Sequence, residues 1–378
     1  MPKPIYLDYA ATAPMRPEVI TAMKPFWREN FGNPASIHSF GREALNVVDA
    51  ARRQVAGLLN CQSQEIIFTS GGTESDNLAI QGVARRFPEC HIITSAIEHK
   101  AVLETCRQLE RQGYLVTYIR PNESGVVAAE QVVKAITPRT ALVSIIYANN
   151  EVGTIQPIRE IGLQLKKINQ TRKQSIYFHT DAVQAANYLE LNTAILHVDL
   201  LTVSAHKLGG PKGIGLLFVK DGAPIEPIVY GGGQEQGLRS GTLNAAGIVG
   251  LAAALTSAQA QREKETRRLR AWQDRAIKKV GKLRNIHING SLTDRLPNNI
   301  NFSVNGKTSD ELVIGFDRHG IAVSAASACA AGSIEPSYVL KAMGLSDSIA
   351  RSSVRITLGY QTANKEINRL IKVLSGLI

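Results

Sequence analysis

The sequence predicts an α/β fold with a mixed, mostly parallel sheet, joined to a smaller α+β domain. Through about two thirds of the chain, short apolar segments alternate with longer segments of helical periodicity, which is typical of a parallel sheet covered by helices. At 378 residues the chain exceeds one typical domain. We therefore predict a large domain over residues 15–258 and a small domain made of residues 1–14 and 259–378.

The predicted strands and helices follow one another in a regular order. IYLDYAATAP (5–14) is a short strand and a turn, FGNPASIHSFG (31–41) is a loop, and residues 42–59 have helical spacing. Further strands are predicted at 65–69, 91–94, 116–119, 141–147, 175–181 and twice within 200–219, with helices from about 73, through 102–109, over 129–136 and from about 158. An alanine-rich helix to about 260 and a charged helix at 261–280 lead to the small domain, with strands at 299–304 and 353–359 around a helix at 309–320.

Composition and charge narrow the class of protein. Hydrophobic residues make up 44% and charged residues 20% of the chain, as in ordinary soluble proteins. No apolar run approaches the roughly 20 residues that span a bilayer, and the N-terminus lacks the pattern of a signal peptide, so we expect a cytoplasmic protein without a membrane segment. The four cysteines are unclustered, which predicts neither disulfides nor a metal site.

The net charge of +11 suits an acidic partner, such as tRNA or an acidic protein. The basic residues are interleaved with acids, however, as in QREKETRRLR (261–270), which is typical of a solvated helix face. The pattern therefore argues against direct nucleic-acid binding as the main role.

Lys207 is the first candidate for chemistry. It lies in a polar, glycine-rich turn between two apolar strands of LLTVSAHKLGGPKGIGLLFV (200–219), beside Ser204 and His206. Burial would lower the pKa of its amine and make it a nucleophile toward an aldehyde. A solvated surface lysine is the alternative interpretation.

Asp181 favours the interpretation of Lys207 as a nucleophile over that of a solvated surface lysine. The apolar run in SIYFHTDAVQA (175–185) ends in Asp181, with Gln184 three residues later. An acid at the end of a buried strand is costly unless it meets a cation or strong donors. The pyridinium nitrogen of pyridoxal phosphate is such a partner, so Asp181 and Lys207 are interpreted as a pair.

Other polar residues also follow predicted strands. Gly71, Gly72 and Thr73 form a turn at a predicted helix N-terminus, which can bind a phosphate or simply cap the helix. His99 could stack on a cofactor ring and exchange protons, or be structural. Thr73, His99, Asn149 or Asn150, Asp181 and Lys207 each follow a different predicted strand. They are therefore expected to converge at the carboxyl edge of the sheet.

Cys329 lies in SAASACAAGSIEPSYVLKAMG (324–344), among small residues and without apolar periodicity. This context predicts an exposed, mobile loop of the small domain, where a thiolate can act as a nucleophile. An incidental loop cysteine is the alternative.

Several motifs together resemble the class I cysteine desulfurases, the group that serves nitrogenase maturation and housekeeping iron–sulfur assembly. They are FGNPAS, TSGGTESDNLAI, EHKAVL, NNEVGT, HTDAVQ, SAHKLGGPKGIG, GGGQEQGLRSGT, SACAAGSIEPSYVL and SVRITLG, in order from Tyr6 to about Gly359. The resemblance implies a homodimeric pyridoxal-phosphate enzyme of the aspartate-aminotransferase fold type I. It implies conversion of L-cysteine to L-alanine, with the sulfane sulfur left on Cys329 as a persulfide for iron–sulfur assembly or tRNA thiolation.

The resemblance also implies roles for single residues. Lys207 would bind the cofactor aldehyde and move protons, His99 would stack on the ring, and Cys329 would take the sulfur. Further cofactor contacts would come from Gly72, Thr73, Asp181, Gln184, Ser204, His206 and, from the other subunit, Thr242. Asn150 and Arg355 would bind the substrate carboxylate, the arginine through a bidentate fork.

Some positions depart from the family pattern. Gly209 replaces a common tyrosine, Ala205 replaces a common glycine, and Ala325 with Ala326 alter the usual Ser-Gly before Ser-Ala-Cys. The sequence also ends at Ile378 without the extension that housekeeping members use to dock their scaffold protein. The sulfur acceptor, a scaffold or sulfur-carrier protein, is therefore left open.

Two other functions are compatible with parts of this pattern. One is a selenocysteine or cyst(e)ine lyase of the same fold that does not require Cys329. The other is a basic binding protein with vestigial catalysis, which the joint presence of Lys207, Asp181, Gln184 and Cys329 argues against.

Overall fold

The computed structural model describes residues 4–325 and 335–378. The strands in these residues are β1 Ile5–Tyr6, β2 Ile66–Thr69, β3 His91–Ser95, β4 Leu115–Ile119, β5 Thr140–Ser144, β6 Tyr177–Asp181, β7 Leu200–Ser204, β8 Gly215–Val219, β9 Ile286–Ile288, β10 Asn299–Val304, β11 Ile321–Ala322, β12 Ser324–Ala325 and β13 Ser353–Thr357. The α-helices are α1 Pro17–Met23, α2 Ser39–Leu59, α3 Gly72–Arg86, α4 Lys100–Arg111, α5 Ala129–Lys134, α6 Ile158–Asn169, α7 Thr193–Leu196, α8 Ala245–Val280, α9 Ser309–Arg318, α10 Tyr338–Ala342, α11 Asp347–Arg351 and α12 Asn364–Leu377.

The central sheet has seven strands in the order β2-β8-β7-β6-β5-β3-β4. The five strands from β7 to β4 are parallel, whereas β8 is antiparallel to both of its neighbours. The predicted mixed, mostly parallel α/β sheet is thus confirmed. Because β7 and β8 are antiparallel neighbours, the connection between them turns at the carboxyl edge of β7, and this connection contains Lys207.

Helices cover both faces of this sheet because most of its strands are apolar on both sides. Strands β2, β3, β5, β7 and β8 are buried at every residue. On one face the core includes Val55 of α2 and Leu165 of α6, and on the other it includes Val83 of α3 and Cys106 of α4. Cys106 therefore belongs to the core.

A second, antiparallel sheet has the order β12-β13-β10-β9. Its core contains Phe302 of β10, Phe316 of α9 and Leu370 of α12. The chain's first strand joins this region, since β1 pairs in parallel with β11.

The two helices predicted on either side of residue 260 are one helix, α8, of 36 residues. Its alanine-rich half contributes Leu251 and Leu255 to the core of the large sheet, and its charged half contributes Leu269 and Ala276 to the core of the small sheet. No proline or glycine interrupts the sequence around residue 260, so nothing breaks the helix there. The predicted domain boundary at residue 258 falls within this helix and stays a prediction.

None of the described helices is both long enough and apolar enough to cross a membrane.

Candidate active site

A cavity of about 300 Å³ lies at the carboxyl edge of the large sheet. Most of the residues that the sequence singled out line it together, namely Gly72, Thr73, His99, Asn150, Asp181, Gln184, Ser204, His206, Lys207 and Arg355. They come from the ends of β2, β3, β5, β6 and β7 and from β13. The expected convergence on one crevice therefore occurs, because parallel strands present their carboxyl ends on one side.

One end of the cavity is suited to an anion. Helix α3 begins at Gly72, and no side chain caps its N-terminus, so the first backbone N–H groups and the positive end of the helix dipole are available. A Cβ atom at Gly72 would lie 3.0 Å from Val183 Cγ2 and 3.6 Å from Ser204 Cβ. Glycine thus keeps this wall of the cavity open at the predicted phosphate position.

Asp181 ends β6 with its side chain buried in the cavity wall. Its Oδ1 accepts a hydrogen bond from the backbone N–H of Val183 at 2.9 Å. Burial raises the pKa of this carboxyl, while the nearby His99 and Lys207 act in the opposite direction. A buried carboxylate of this kind gains stability from a cationic ligand in the cavity.

His99 is held in one tautomer by its place in the chain. It caps the N-terminus of α4, where its Nδ1 accepts a hydrogen bond from the N–H of Ala101 at 3.1 Å. Burial lowers the pKa of the imidazole, so the ring is neutral and its proton is on Nε2. In this state His99 can donate a hydrogen bond through Nε2–H, but Nδ1 is already occupied as an acceptor.

Lys207 directs its amine toward the N-terminal segment. Its Nζ donates to the carbonyl oxygens of Ala10 at 2.5 Å and Ala11 at 2.7 Å. Gln184 Nε2 also donates to the Ala10 carbonyl, at 3.1 Å, and His206 Nδ1 lies 3.2 Å from Thr12 Oγ1. Ala10 and Ala11 therefore form a wall of the cavity, although the sequence predicted only a strand and a turn for this segment.

Arg355 and Asn150 are joined through the backbone. Arg355 Nη1 donates to the carbonyl oxygen of Asn150 at 3.0 Å, and its Nη2 donates to Asp8 Oδ1 at 2.9 Å. The Nε of Arg355 and the Oδ1 of Asn150 are buried without a hydrogen-bond partner in the protein. Buried polar atoms are rarely left unpaired. This donor and this acceptor are therefore available to bind a ligand.

The structure also decides between Asn149 and Asn150 as the residue that faces the cavity. The Asn149 side chain donates to the carbonyl of Ile97 and accepts from the N–H groups of Glu151 and Val152. Its hydrogen-bonding capacity is used by Ile97 and by its own loop, which leaves Asn150 as the residue that faces the cavity.

Sequence analysis missed Asp76, a buried carboxyl of α3 that lines the cavity. Its Oδ1 has no hydrogen-bond partner, and burial together with Asp181 raises the pKa of the group. His179 Nε2 lies 3.6 Å from this oxygen, and burial lowers the pKa of this histidine to about 3. Asp76 was detectable, because in TESDNLAIQGV it shares a helix face with the apolar Ala79, Ile80 and Val83.

Two predicted residues are not in this cavity. Thr242 is exposed and lines a separate cavity of about 260 Å³ beside Arg52 and Glu235. Its predicted contact is with the site of another subunit and stays a prediction. Cys329, like Ala326, lies outside the described residues.

Gly209, one of the departures from the family pattern, occupies a position that favours glycine. Its φ is +79°, and a Cβ atom there would lie 2.7 Å from Arg16 Cγ. Arg16 is buried, and its Nε donates to the carbonyl of Leu208 at 2.9 Å. The arginine side chain therefore fills the space that a larger residue at position 209 would need.

Comparison with known proteins gives the same picture along the whole chain. The aminotransferase class V family model matches residues 5–370. A cysteine desulfurase IscS of Dictyoglomus turgidum is 46% identical over 100% of this chain and 95% of its own length, and one of Methanosarcina thermophila is 44% identical over 100% and 92%. The chain belongs to the cysteine desulfurases of the class V aminotransferase family.

Solved structures of related proteins match as closely. A NifS-like protein superposes with a TM-score of 0.92 at 37% identity, covering 99% of both chains. A structure described as SspA in complex with cysteine has a TM-score of 0.81 at 39% identity and covers 94% of this chain and 98% of that one. The resemblance seen in the motifs is thereby confirmed, including the fold type.

Enzymes of this family depend on pyridoxal phosphate, and the residues present fit that group. The cavity offers an uncapped helix N-terminus for a phosphate, a buried carboxyl for a pyridinium nitrogen and a lysine amine for the aldehyde. The unpartnered atoms of Asn150 and Arg355 remain for a substrate. Among the described residues, no group of three or more His, Cys, Asp or Glu side chains could hold a metal ion.

Proposed function

We propose that this cysteine desulfurase converts L-cysteine to L-alanine and retains the sulfur as a persulfide on Cys329. The observation that carries the proposal is the convergence of Lys207, Asp181 and Arg355 on one cavity. The lysine amine can bind an aldehyde, and the buried acid can pair with a ring nitrogen. The arginine, with its unpartnered donor, can bind a carboxylate.

Cofactor binding is assigned to three groups of residues. Gly72, Thr73, Ser204 and His206 would hold the phosphate, with Thr242 of a second subunit in a homodimer. Asp181 would pair with the ring nitrogen, Gln184 would bond the ring hydroxyl, and His99 would stack on the ring. When bound, pyridoxal phosphate supplies an electron sink for the bonds at the substrate Cα. Burial lowers the pKa of His206 to about 4, and the negative charge of a bound phosphate would act in the opposite direction.

Substrate binding is assigned to Arg355 and Asn150. The Arg355 guanidinium is fixed by the Asn150 carbonyl and by Asp8, and its buried Nε would donate to the carboxylate of L-cysteine. Because the guanidinium is held before substrate arrives, little side-chain entropy is lost on binding.

Proton transfer at the substrate Cα is assigned to Lys207. The amine of Lys207, held in the connection between β7 and β8, can take a proton from Cα and return one to the developing alanine. His99 would add a hydrogen-bond donor through its Nε2–H.

In the sulfur step, the Cys329 thiolate attacks the sulfur of the substrate. A sulfur–sulfur bond forms as the carbon–sulfur bond of the substrate breaks, and the electron pair of that bond stays with the carbon fragment, which is protonated to alanine. The substrate sulfur is oxidised to the sulfane level and the substrate carbon is reduced, so L-cysteine and the enzyme thiol give L-alanine and the enzyme persulfide without another reactant. An acceptor protein for iron–sulfur assembly or tRNA thiolation would then take the sulfur.

Anaerobic measurement of alanine and sulfide from L-cysteine with a reducing thiol tests this function. The wild type should release both in equal amounts, and Cys329→Ser should release neither. Cys106→Ser, which changes a core cysteine, is the matched control and should retain activity. Full alanine release by Cys329→Ser would instead identify a lyase that does not require this cysteine.

A further inference from the structure

Four consecutive backbone carbonyls in the turn around Lys207, those of residues 206–209, accept hydrogen bonds from outside the turn. The outer two accept from the backbone N–H groups of Ala13 and Arg16, at 2.9 and 2.8 Å. The inner two, at Lys207 and Leu208, accept from side chains. The centre of the turn is therefore held by donors that depend on residue type.

Asn187 provides the first of these side-chain donors. Its Nδ2 donates to the backbone carbonyl of Lys207 at 2.8 Å. Asn187 lies in the loop after β6, the strand that ends in Asp181. The bond therefore fixes the backbone of the lysine relative to the strand that carries the buried acid.

Arg16 provides the second side-chain donor. Its Nε donates to the backbone carbonyl of Leu208 at 2.9 Å. The same guanidinium donates through Nη1 to Ser257 Oγ at 3.3 Å, and its Cζ lies 4.4 Å from the centre of the Tyr360 ring, within the range of a cation–π contact. These contacts keep the Nε donor directed at the turn.

The burial of Arg16 is costly. The residue is 5% exposed, while its ion-pair partner Glu18 lies 3.9 Å away with a side chain that is 49% exposed. A buried cation costs free energy compared with an apolar residue unless it is closely paired, and an ion pair of this kind contributes little. Stability alone therefore does not explain an arginine at this position.

Gly209 makes room for the arginine. A Cβ atom at position 209 would lie 2.7 Å from Arg16 Cγ and 3.2 Å from its Nε. A side chain at position 209 would thus displace the atom that donates to Leu208. The departure from the family pattern at Gly209 is therefore a condition for the Arg16 contact.

Packing alone does not fix the turn on this side. A cavity of about 20 Å³, which is room for about one water molecule, borders Lys207 and Leu208. Arg16 and Asn187 also line this cavity. Without the two donors, the backbone of the turn has space to shift, and the lysine amine would move with it.

We propose that Arg16 and Asn187 are positioning residues for Lys207, which hold its backbone where the amine can meet the cofactor aldehyde. The inference rests on the proposed function, because it assumes that Lys207 bonds this aldehyde and moves protons at the substrate Cα. Loss of either donor is expected to slow both reactions, while the other cofactor contacts of the cavity are retained.

The test mixes the full-length chain, freed of cofactor, with pyridoxal phosphate and follows the absorbance of the bond to lysine. Its rate constant should fall about tenfold or more in Arg16→Met and Asn187→Leu, which lack the donor at similar size, since small misplacements of a reacting group have large effects on rate. After loading, kcat for alanine formation should fall by a similar factor. The affinity for pyridoxamine phosphate, which has an amine in place of the aldehyde and cannot bond to lysine, should stay within about twofold of wild type.

Arg172→Met is the matched control. Arg172 also donates to three backbone carbonyls, at 3.1, 3.0 and 3.0 Å, but these lie at the opposite edge of the large sheet, around the start of β5. This variant should lower the thermal midpoint of unfolding and leave the rate constant within about twofold. Wild-type rate constants in both Arg16→Met and Asn187→Leu would overturn the inference, as would an equal loss of affinity for pyridoxamine phosphate.

The same experiment includes Lys207→Ala, which keeps the two proposals apart. A covalent bond between pyridoxal phosphate and Lys207→Ala would contradict the role of Lys207 in the proposed function. No such bond in Lys207→Ala, beside wild-type rate constants in Arg16→Met and Asn187→Leu, would contradict only the positioning role.

Discussion

The two edges of the large sheet each carry a cavity with an aspartate and a lysine, but the environments of these pairs differ. The cavity at the opposite edge is the larger, at about 490 Å³, and is lined by Asp199 and Lys220. There Lys220 Nζ lies 3.0 Å from Asp199 Oδ1, and the lysine side chain is 58% exposed. At the carboxyl edge, Asp181 is only 5% exposed.

This difference shows which features mark a site in this molecule. At the opposite edge the two charges neutralise each other in contact with solvent, and such pairs contribute little. At the carboxyl edge, by contrast, Asp76 Oδ1, Asn150 Oδ1 and Arg355 Nε are buried without partners. Cavity volume alone would select the cavity at the opposite edge. The unpaired buried polar atoms instead identify the carboxyl-edge cavity as the one that binds a ligand.

The largest expected effect contrasts the two lysines. Lys207→Ala should lower alanine formation about a thousandfold or more, because it removes the group assigned to proton transfer. Lys220→Ala removes an exposed ion-pair partner and should change the rate less than about twofold. Steady-state assays of both variants after loading with pyridoxal phosphate make the comparison. Similar losses in the two would show that the edges do not differ as described.

The two aspartates give the next largest effect. Asp181→Asn should lower kcat about a hundredfold, since removing one member of a buried charge pair costs about 3 kcal/mol. Asp199→Asn should leave kcat within about twofold. Equilibrium dialysis of pyridoxal phosphate against both variants checks the cause, because only Asp181→Asn should release the cofactor more readily. Unchanged cofactor affinity in Asp181→Asn would contradict its pairing with the ring.

A smaller effect is expected at Asp8, which holds Arg355 Nη2. Asp8→Asn keeps an acceptor but removes the charge, so the guanidinium should be less well oriented toward the substrate carboxylate. We expect the KM for L-cysteine to rise about tenfold with kcat changed less than about threefold. Asp347→Asn, which changes an exposed ion pair with Lys341, is the control. A fall in kcat at constant KM would argue against this role for Asp8.

A further expected effect is on stability, not on the rate. Burial raises the pKa of Glu98 to about 8 from an ordinary value of 4.5. Between these pH values the folded state keeps a proton that the unfolded state has lost, so stability decreases as pH rises from about 4.5 to about 8, by at most about 1.4 kcal/mol per pH unit. Glu98→Gln should therefore flatten the decline of the thermal midpoint between pH 5.5 and 8, measured by calorimetry.

Glu311→Gln is the control for this measurement, because Glu311 is an exposed residue at the start of α9. Its thermal midpoint should decline with pH as that of the wild type does. An equal decline in Glu98→Gln would show that Glu98 is not held in its neutral form.

Much of the fold and most of the site could be predicted from the sequence. The alternation of apolar and helical segments predicted the sheet, and a polar residue after each strand predicted the cavity, because parallel strands place such residues on one edge. The continuity of α8 was missed, since its composition changes near residue 260 without any residue that breaks a helix.

The N-terminal wall of the cavity was missed for a different reason. Ala10 and Ala11 contribute backbone carbonyls, which leave no signal in residue type. The residue type of Asp8 did carry a signal, because Asp8 follows a short apolar strand just as Asp181 does. Its pairing with Arg355 joins residues 347 positions apart, and only the folded structure brings them together.

The most direct test of the difference between the two edges is to identify the lysine that carries the cofactor. The pyridoxal-phosphate-loaded enzyme would be reduced with sodium borohydride, digested and examined by mass spectrometry for the modified lysine. We expect the label on Lys207 and none on Lys220. A label on Lys220, or one that persists undiminished in Lys207→Ala, would contradict the assignment of the carboxyl-edge cavity as the active site.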